Sequence, residues 1–358
     1  MISFTAPVGD ILHAYRFAAQ ADDLPDWDDD IAKAVLEHFS DLAEGVIAPL
    51  DEIGDREGAL LENGRVRMPE GFREAYRQLA EGGWQGLTAP ERFGGMGAHP
   101  LLAAGVSEIF SGANYAFQMV CGLVPGAVTT LLRFGTPEQQ ETWIPRLTRG
   151  EVLSTMCLSE PGAGSDLSRI RTRAEEDDGL WRITGEKIFI SGGDQDLSDG
   201  ILHLVLARTG ATDEGVKGLS LFLCPSETAQ ERNAITVLRL EEKLGLHASP
   251  TCQMQFDEAE AMLVGALGDG LKAMFTLMNH ARIDVALQGV AHASRAAQIA
   301  GIYAADRVQG RKADGTFAKL DDHADIIRML NTQKALALGG RPCATSLSPN
   351  SSAARQKC

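Results

Sequence analysis

Two changes of residue periodicity constrain this chain most. Before Glu151, apolar residues recur at helical spacing. From Val152 to Phe256 come short runs that alternate or are continuously apolar, as strands are. From Gly270 the helical period returns. The order α, then β, then α defines an α+β fold. It divides the chain into 1–150, an all-α domain with no strand-period run; 151–262, a β-domain whose close-spaced short strands predict a small barrel or sandwich; and 263–338, a helical domain.

The first block predicts helices around Ile11 to Gln20, from Asp28-Asp29-Asp30 onward with Ile31, Val35, Phe39, Leu42 and Val46 as its apolar stripe, over Glu70 to Glu81, over Pro100 to Ile109, and over Met119 to Phe134. Gly135-Thr136-Pro137-Glu138-Gln139 then reads as a helix start, with an N-cap threonine, proline at the first position and a capping-box glutamine. In the β block, strands are expected at 152–158, on either side of a Gly185-Glu186 turn within 181–193, at 203–208, at 219–224 and at 251–256. Helices over Leu271 to Arg307 and Ala324 to Leu338 follow. From Gly339 the periodicity stops and a Ser/Pro-rich stretch begins, so 339–358 reads as a disordered tail.

Composition narrows the function. Among 358 residues, 44% are hydrophobic and 23% charged, an ordinary globular mixture, and the net charge of -16 argues against nucleic-acid or anionic-membrane binding while leaving room for a local basic site for a phosphorylated ligand. No apolar run reads as a membrane span. The six cysteines show no metal spacing. Four lie in apolar or strand-like runs and read as buried free thiols, which fits a reducing cytosol.

The densest chemical signal is Met156-Cys157-Leu158-Ser159-Glu160-Pro161-Gly162-Ala163-Gly164-Ser165-Asp166. An apolar strand end turns at Glu160-Pro161 and passes two glycines that permit positive φ or close approach of a ligand. Exposed N–H groups and serine hydroxyls suit phosphate or the heteroatoms of a polar ring. Alone, such a loop is equally well an ordinary tight turn.

Its neighbours decide between these. Leu158 to Asp166, then Ile183-Thr184-Gly185-Glu186-Lys187 through Ile190-Ser191-Gly192-Gly193, then Lys243-Leu244-Gly245 with Ser249-Pro250-Thr251, then Gly268-Asp269-Gly270-Leu271, form an ordered set that resembles the acyl-CoA dehydrogenases. The resemblance covers roughly residues 35–335. Thr5-Ala6-Pro7 and Arg307-Val308-Gln309-Gly310-Arg311 resemble the long branch of that family, which carries an added C-terminal domain. It implies a helical N-terminal domain, a middle β-barrel and a C-terminal helical bundle, here incomplete. It implies FAD as cofactor and α,β-dehydrogenation of an acyl-CoA thioester to the trans-2-enoyl-CoA, with hydride passing to flavin N5. An electron-transferring flavoprotein as acceptor, a homo-oligomer and a cytoplasmic setting go with it. Oxygen-using relatives share the loop.

Carried over residue by residue, the resemblance places Met156, Leu158 and Ser159 at the flavin ring edge, Gly164 and Ser165 at the FAD diphosphate and acyl-CoA side, and Phe189 against the flavin where the family often has tryptophan. Ser191 falls near N5, Arg307 at the FAD of a neighbouring subunit, and Arg282 at the substrate cleft. Met156 departs from a frequent aromatic. Arg282, in a largely apolar helix, is expected to be a costly buried cation that needs a partner. His280 reads as structural, His247 as loop surface, and Asp321-Asp322-His323 as a solvated turn.

The reaction requires a carboxylate near the α-carbon. In one family subset a glutamate directly precedes the arginine matched by Arg282; here Ala281 stands there. In most members the glutamate lies later than residue 358. With the change of texture at 339, the expectation is a truncation or frameshift, hence an alternative of a catalytically incompetent remnant with partial FAD or acyl-CoA binding.

Overall fold

The computed structural model describes residues 3–25, 27–229 and 231–345. It begins with α1 (Val8–Phe17), α2 (Asp29–Leu42) and α3 (Leu50–Glu57). A hairpin of β1 (Leu60–Glu62) and β2 (Arg65–Arg67) precedes α4 (Phe72–Glu81), α5 (Pro100–Ala113), α6 (Tyr115–Cys121), α7 (Val124–Phe134) and α8 (Pro137–Thr148). Then come β3 (Val152–Cys157), β4 (Arg173–Asp177), β5 (Leu180–Ser191), β6 (Gly200–Arg208), β7 (Leu219–Pro225), β8 (Ile235–Leu240) and β9 (Thr251–Val264). The remainder is α9 (Gly270–Asp306), the hairpin β10 (Val308–Arg311) and β11 (Phe317–Lys319), and α10 (Ala324–Thr345). These elements gather into two compact units: Leu50–Ala98 with Ala116–Arg282, and Met1–Pro49 with His99–Tyr115 and Ile283–Cys358.

The first unit is built on the sheet. Its strand order is β3-β6-β4-β5-β9-β7, with β8 on β9, and a further β6–β7 pairing closes the order on itself, as the barrel expectation required. β6 and β7 are apolar without alternation, and Ile201–Ala207 and Leu219–Cys224 are buried throughout. Strands covered on both faces have that composition. Before the sheet, Thr136 and Gln139 form the expected capping box, and Gln139 Nε2 also donates to the Leu263 carbonyl at 2.8 Å, tying α8 to β9.

Several expectations need correction here. The helical first block contains the β1–β2 hairpin, too short for periodicity to register. The stretch 119–134 is two helices, because Gly122 breaks the run and Pro125 starts α7. By length and composition Tyr115–Phe134 is apolar enough to cross a membrane, contrary to the sequence reading; the structure divides it, with 61% of its most apolar window buried inside. Gly185-Glu186 is no turn. β5 runs straight through it with a register shift against β9. A Cβ on Gly185 would lie 2.6 Å from Thr172 Cα, so only glycine admits this approach. Strands β4 and β8 were not expected, and β9 is longer than predicted. Cys121, Cys157, Cys224 and Cys252 are buried free thiols, as expected.

The second unit packs α1, α2, α5, the later part of α9, and α10. Asp28 caps α2 by accepting from the Asp30 and Ile31 N–H groups at 2.9 Å. The buried stripe is Ala32, Leu36, Phe39, Ala43 and Ile47, one step round from the predicted one, and Ile31 is 59% exposed. The register is set by alanines that hydrophobicity undervalues, and a π-helical stretch at Ala43–Ile47 carries it on.

The centre of this unit holds an ion pair. Arg341 Nε donates to both oxygens of Glu108 at 2.8 and 3.0 Å, and both residues are buried. Burial pushes the Glu108 carboxyl above its ordinary range even against that guanidinium. Arg341 lies within the stretch expected to be disordered. That reading is corrected for 339–345, where α10 continues through Pro342 to Thr345. The rest of the expected tail lies outside the described residues.

Candidate active site

The loop after β3 is held from inside by a buried cation. Lys187, fully buried on β5, donates Nζ to Glu160 Oε1 at 2.9 Å and to the Leu158 carbonyl at 3.1 Å. The other lone pairs of Glu160 accept from the backbone: Oε2 from Arg171 N at 2.7 Å and Oε1 from Thr172 N at 3.0 Å. The Glu160–Lys187 pair thus gathers 158, 171 and 172. Burial favours the neutral acid, but Lys187 and the donated N–H groups outweigh it and hold Glu160 below the usual carboxylate range. Burial, the larger effect on Lys187, pulls its ammonium down.

From this brace the loop turns tightly, with reciprocal backbone hydrogen bonds between Glu160 and Ala163. Neither Gly162 nor Gly164 has positive φ, and a Cβ on either would meet nothing within 4 Å. Their role is therefore not to relieve strain, as one alternative held; they leave the loop face open. The Ser159 carbonyl accepts from Ile188 N at 2.9 Å, placing the loop directly beside Phe189.

Phe189 is the irregular residue of β5. It has φ +61° at a register shift between Lys187 and Ile190, and its ring is 59% exposed. Positive φ on an aromatic residue costs about 1–3 kcal/mol. Strain of that size retained to expose an aromatic ring marks a surface for a planar ligand. Half-buried Ser191 ends the strand, in register with Thr251. Met156 is half-buried on β3. Ser154, one pleat away on the same face, has a buried hydroxyl with no partner among the described residues.

Met156, Leu158, Ser159, Gly164, Ser165, Phe189 and Ser191 therefore share one region of one unit. An apolar thioether and an exposed ring beside half-buried hydroxyls fit a flat heteroaromatic group with a polar edge. Arg282 is not buried as expected. It is exposed, donates to Asn279 Oδ1 at 2.7 Å and stacks over Phe275 at 5.3 Å. Arg307 is exposed and belongs to the other unit. Asp284 accepts from Ser107 at 2.8 Å.

The 243–251 segment also finds a place. Lys243 Nζ donates to the Ser249 carbonyl and to Thr251 Oγ1, and both serve as walls of a cleft of about 310 Å³. His247 is exposed but pinned between the Asp55 and Lys243 carbonyls, and the hydrogen bond to Asp55 raises its pKa most. His203 bonds Thr155 at 2.7 Å, and burial drives it down to about 3, so it stays neutral in the sheet core. No group of three metal-ligating residues occurs among the described residues.

The family comparison rests on both helical and sheet parts. The N-terminal domain of acyl-CoA dehydrogenase matches residues 30–151, and the family's middle domain matches 155–259. The chain belongs to the acyl-CoA dehydrogenase family. It is 44% identical to the 3-methylmercaptopropionyl-CoA dehydrogenase of Ruegeria pomeroyi, over 96% of this chain and 61% of that protein. It is 37% identical to a broad-specificity linear acyl-CoA dehydrogenase of Mycobacterium tuberculosis, over 88% of this chain and 55% of that one. It thus spans little more than half the length of these relatives. The butyryl-CoA dehydrogenase structure from Megasphaera elsdenii superposes with a TM-score of 0.77 at 25% identity, covering 90% of this chain and 80% of that one. An acyl-CoA dehydrogenase from Bacillus anthracis complexed with FAD has the same fold, with a TM-score of 0.75 at 22% identity over 93% and 53% of the two chains.

Sequence reasoning missed the Glu160–Lys187 brace. The signal was present: a lysine inside the strand run Glu186-Lys187-Ile188-Phe189-Ile190 needs a partner if that run is buried.

Proposed function

We propose that this chain carries the flavin- and acyl-CoA-facing part of an FAD-dependent acyl-CoA dehydrogenase. The observation that carries the reading is the strained, exposed Phe189 held beside Ser159 and Ser191 by the buried Lys187–Glu160 brace. Bound FAD would supply the two-electron acceptor for α,β-dehydrogenation. Phe189 and Met156 would pack on the ring system, and the Ser159 and Ser191 hydroxyls would orient its polar edge. Gly164 and Ser165 would serve the diphosphate and the acyl-CoA side. Arg282 would face substrate, and Arg307 would reach the FAD of a second copy. An electron-transferring flavoprotein is the proposed acceptor.

A second reading, binding without turnover, is favoured by Ala281, which offers no proton acceptor where one family subset carries its glutamate. One experiment separates the two. The purified chain is reconstituted with FAD, and short- and medium-chain acyl-CoAs are added anaerobically. Bleaching of the band near ~450 nm, a property of the flavin itself, supports dehydrogenation. A stable yellow complex without bleaching supports binding alone. Failure to retain any flavin refutes both.

A further inference from the structure

The loop between β8 and β9 is closed on itself by Lys243, whose Nζ donates to the Ser249 carbonyl and to Thr251 Oγ1. His247 fastens the same loop to the end of α3. The Ala59 N–H donates to the His247 carbonyl at 2.8 Å, and the imidazole sits between two backbone carbonyls, with Nδ1 2.8 Å from Asp55 O and Nε2 3.1 Å from Lys243 O. Small residues permit the approach. A Cβ on Gly54 would lie 2.9 Å from Ala248 Cβ, and one on Gly58, at φ +67°, 3.3 Å from His247 Cβ. The loop leads straight into the candidate site: Thr251 is in register with Ser191, and the Gly192 N–H donates to the Pro250 carbonyl at 2.8 Å.

Two carbonyls facing one imidazole set a condition on its charge. A neutral ring has one N–H and one lone pair, so it serves one carbonyl and turns a lone pair on the other; the imidazolium serves both. The hydrogen bond to the Asp55 carbonyl raises the His247 pKa most, then that to the Lys243 carbonyl. The Asp55 carboxylate, 3.2 Å from Nδ1, adds to the rise, while the Lys243 ammonium opposes it. Glu57 on the α3 side and Glu241 and Glu242 on the loop side line the same cleft, and their charge favours the cation too.

We infer that His247 is a proton-operated clasp: as imidazolium it holds the 241–249 loop on α3, and on losing its proton it releases one carbonyl and the loop loosens. Because the folded value is raised, the clasp is complete below the ordinary histidine value of 6.5 and is lost as pH rises through the higher folded one. The inference goes beyond the flavin and acyl-CoA reading and needs neither ligand.

The test uses the chain alone. Imidazole C–H signals followed by NMR, with His247→Gln to assign the resonance, give the His247 midpoint. Hydrogen–deuterium exchange of segments 52–60 and 241–252, corrected for intrinsic exchange, gives the protection on both sides of the clasp between about pH 5.5 and pH 8.5. The midpoint should lie above 6.5, and protection of both segments should fall with rising pH by the factor linkage demands, about threefold for each half pH unit by which the midpoint is raised. His247→Gln should be less protected in acid and lose the pH dependence. Asp55→Asn removes the carboxylate and keeps the carbonyl, so it should lower the midpoint but leave it above 6.5. A wild-type midpoint at or below 6.5, an Asp55→Asn midpoint that drops that far, or protection that ignores pH overturns the clasp. So does a pH dependence retained by His247→Gln.

Discussion

Replacing Lys187 with methionine tests the brace most directly. Methionine nearly preserves side-chain volume, so the loss is electrostatic. Glu160 then keeps two backbone N–H donors but no counter-charge, and the Leu158 carbonyl loses its donor, in a site where the two side chains are 0% and 6% exposed. Breaking one side of a buried pair costs about 3–5 kcal/mol. For a unit of this size about 2–4 °C is lost per kcal/mol, so melting should fall by roughly 6–20 °C. The variant should also lose its acid sensitivity in part. Glu160 is lowered in the folded state, so its stabilisation is present above the unfolded carboxylate pKa of 4.5 and disappears as pH falls through the lower folded value. Without Lys187 that depression shrinks, and the acid limb should flatten. Thermal unfolding followed by circular dichroism from pH 3 to pH 8 reads both effects, and the double variant Lys187→Met/Glu160→Gln should recover part of the loss. A single variant that melts within about 1 kcal/mol of wild type would show that the pair contributes no more than a surface contact and refute the reasoning.

Phe189→Gly should leave the apo protein as stable or up to about 1 kcal/mol more stable, since glycine accepts φ +61°; FAD affinity by fluorescence quenching should nevertheless fall. Gly185→Ala should destabilise by about 1–3 kcal/mol in urea unfolding, because its Cβ meets the Thr172 backbone. Arg341→Met should cost about 3 kcal/mol at neutral pH and less in acid. Glu108 is raised, so its penalty is absent below the unfolded value of 4.5 and grows as pH climbs towards the folded one, which the substitution raises further. Stability curves at two pH values measure the difference.

The order of helices and strands was legible because long periodic runs and the Thr136 cap are local signals. Three of the errors share one cause. The register of α2, the continuity of β5 through Gly185, and the order of 339–345 are each decided by a distant partner: the packing of small alanines, Thr172, and Glu108. At the candidate site the serines and Phe189 were legible through resemblance. Their support was not, because Lys187 signals the need for a partner but Glu160, which meets it, lies 27 residues away in the chain.

The Arg341–Glu108 pair also sets a schedule. Its members are 233 residues apart, so the cation that neutralises Glu108 is made long after α5. At about 5–20 residues per second of synthesis, α5 waits roughly 10–50 s for it. Through that interval the sheet-bearing unit can complete, while Glu108 has only water or a proton for company. Vectorial synthesis therefore makes one unit of this protein an early folder and the other a late one.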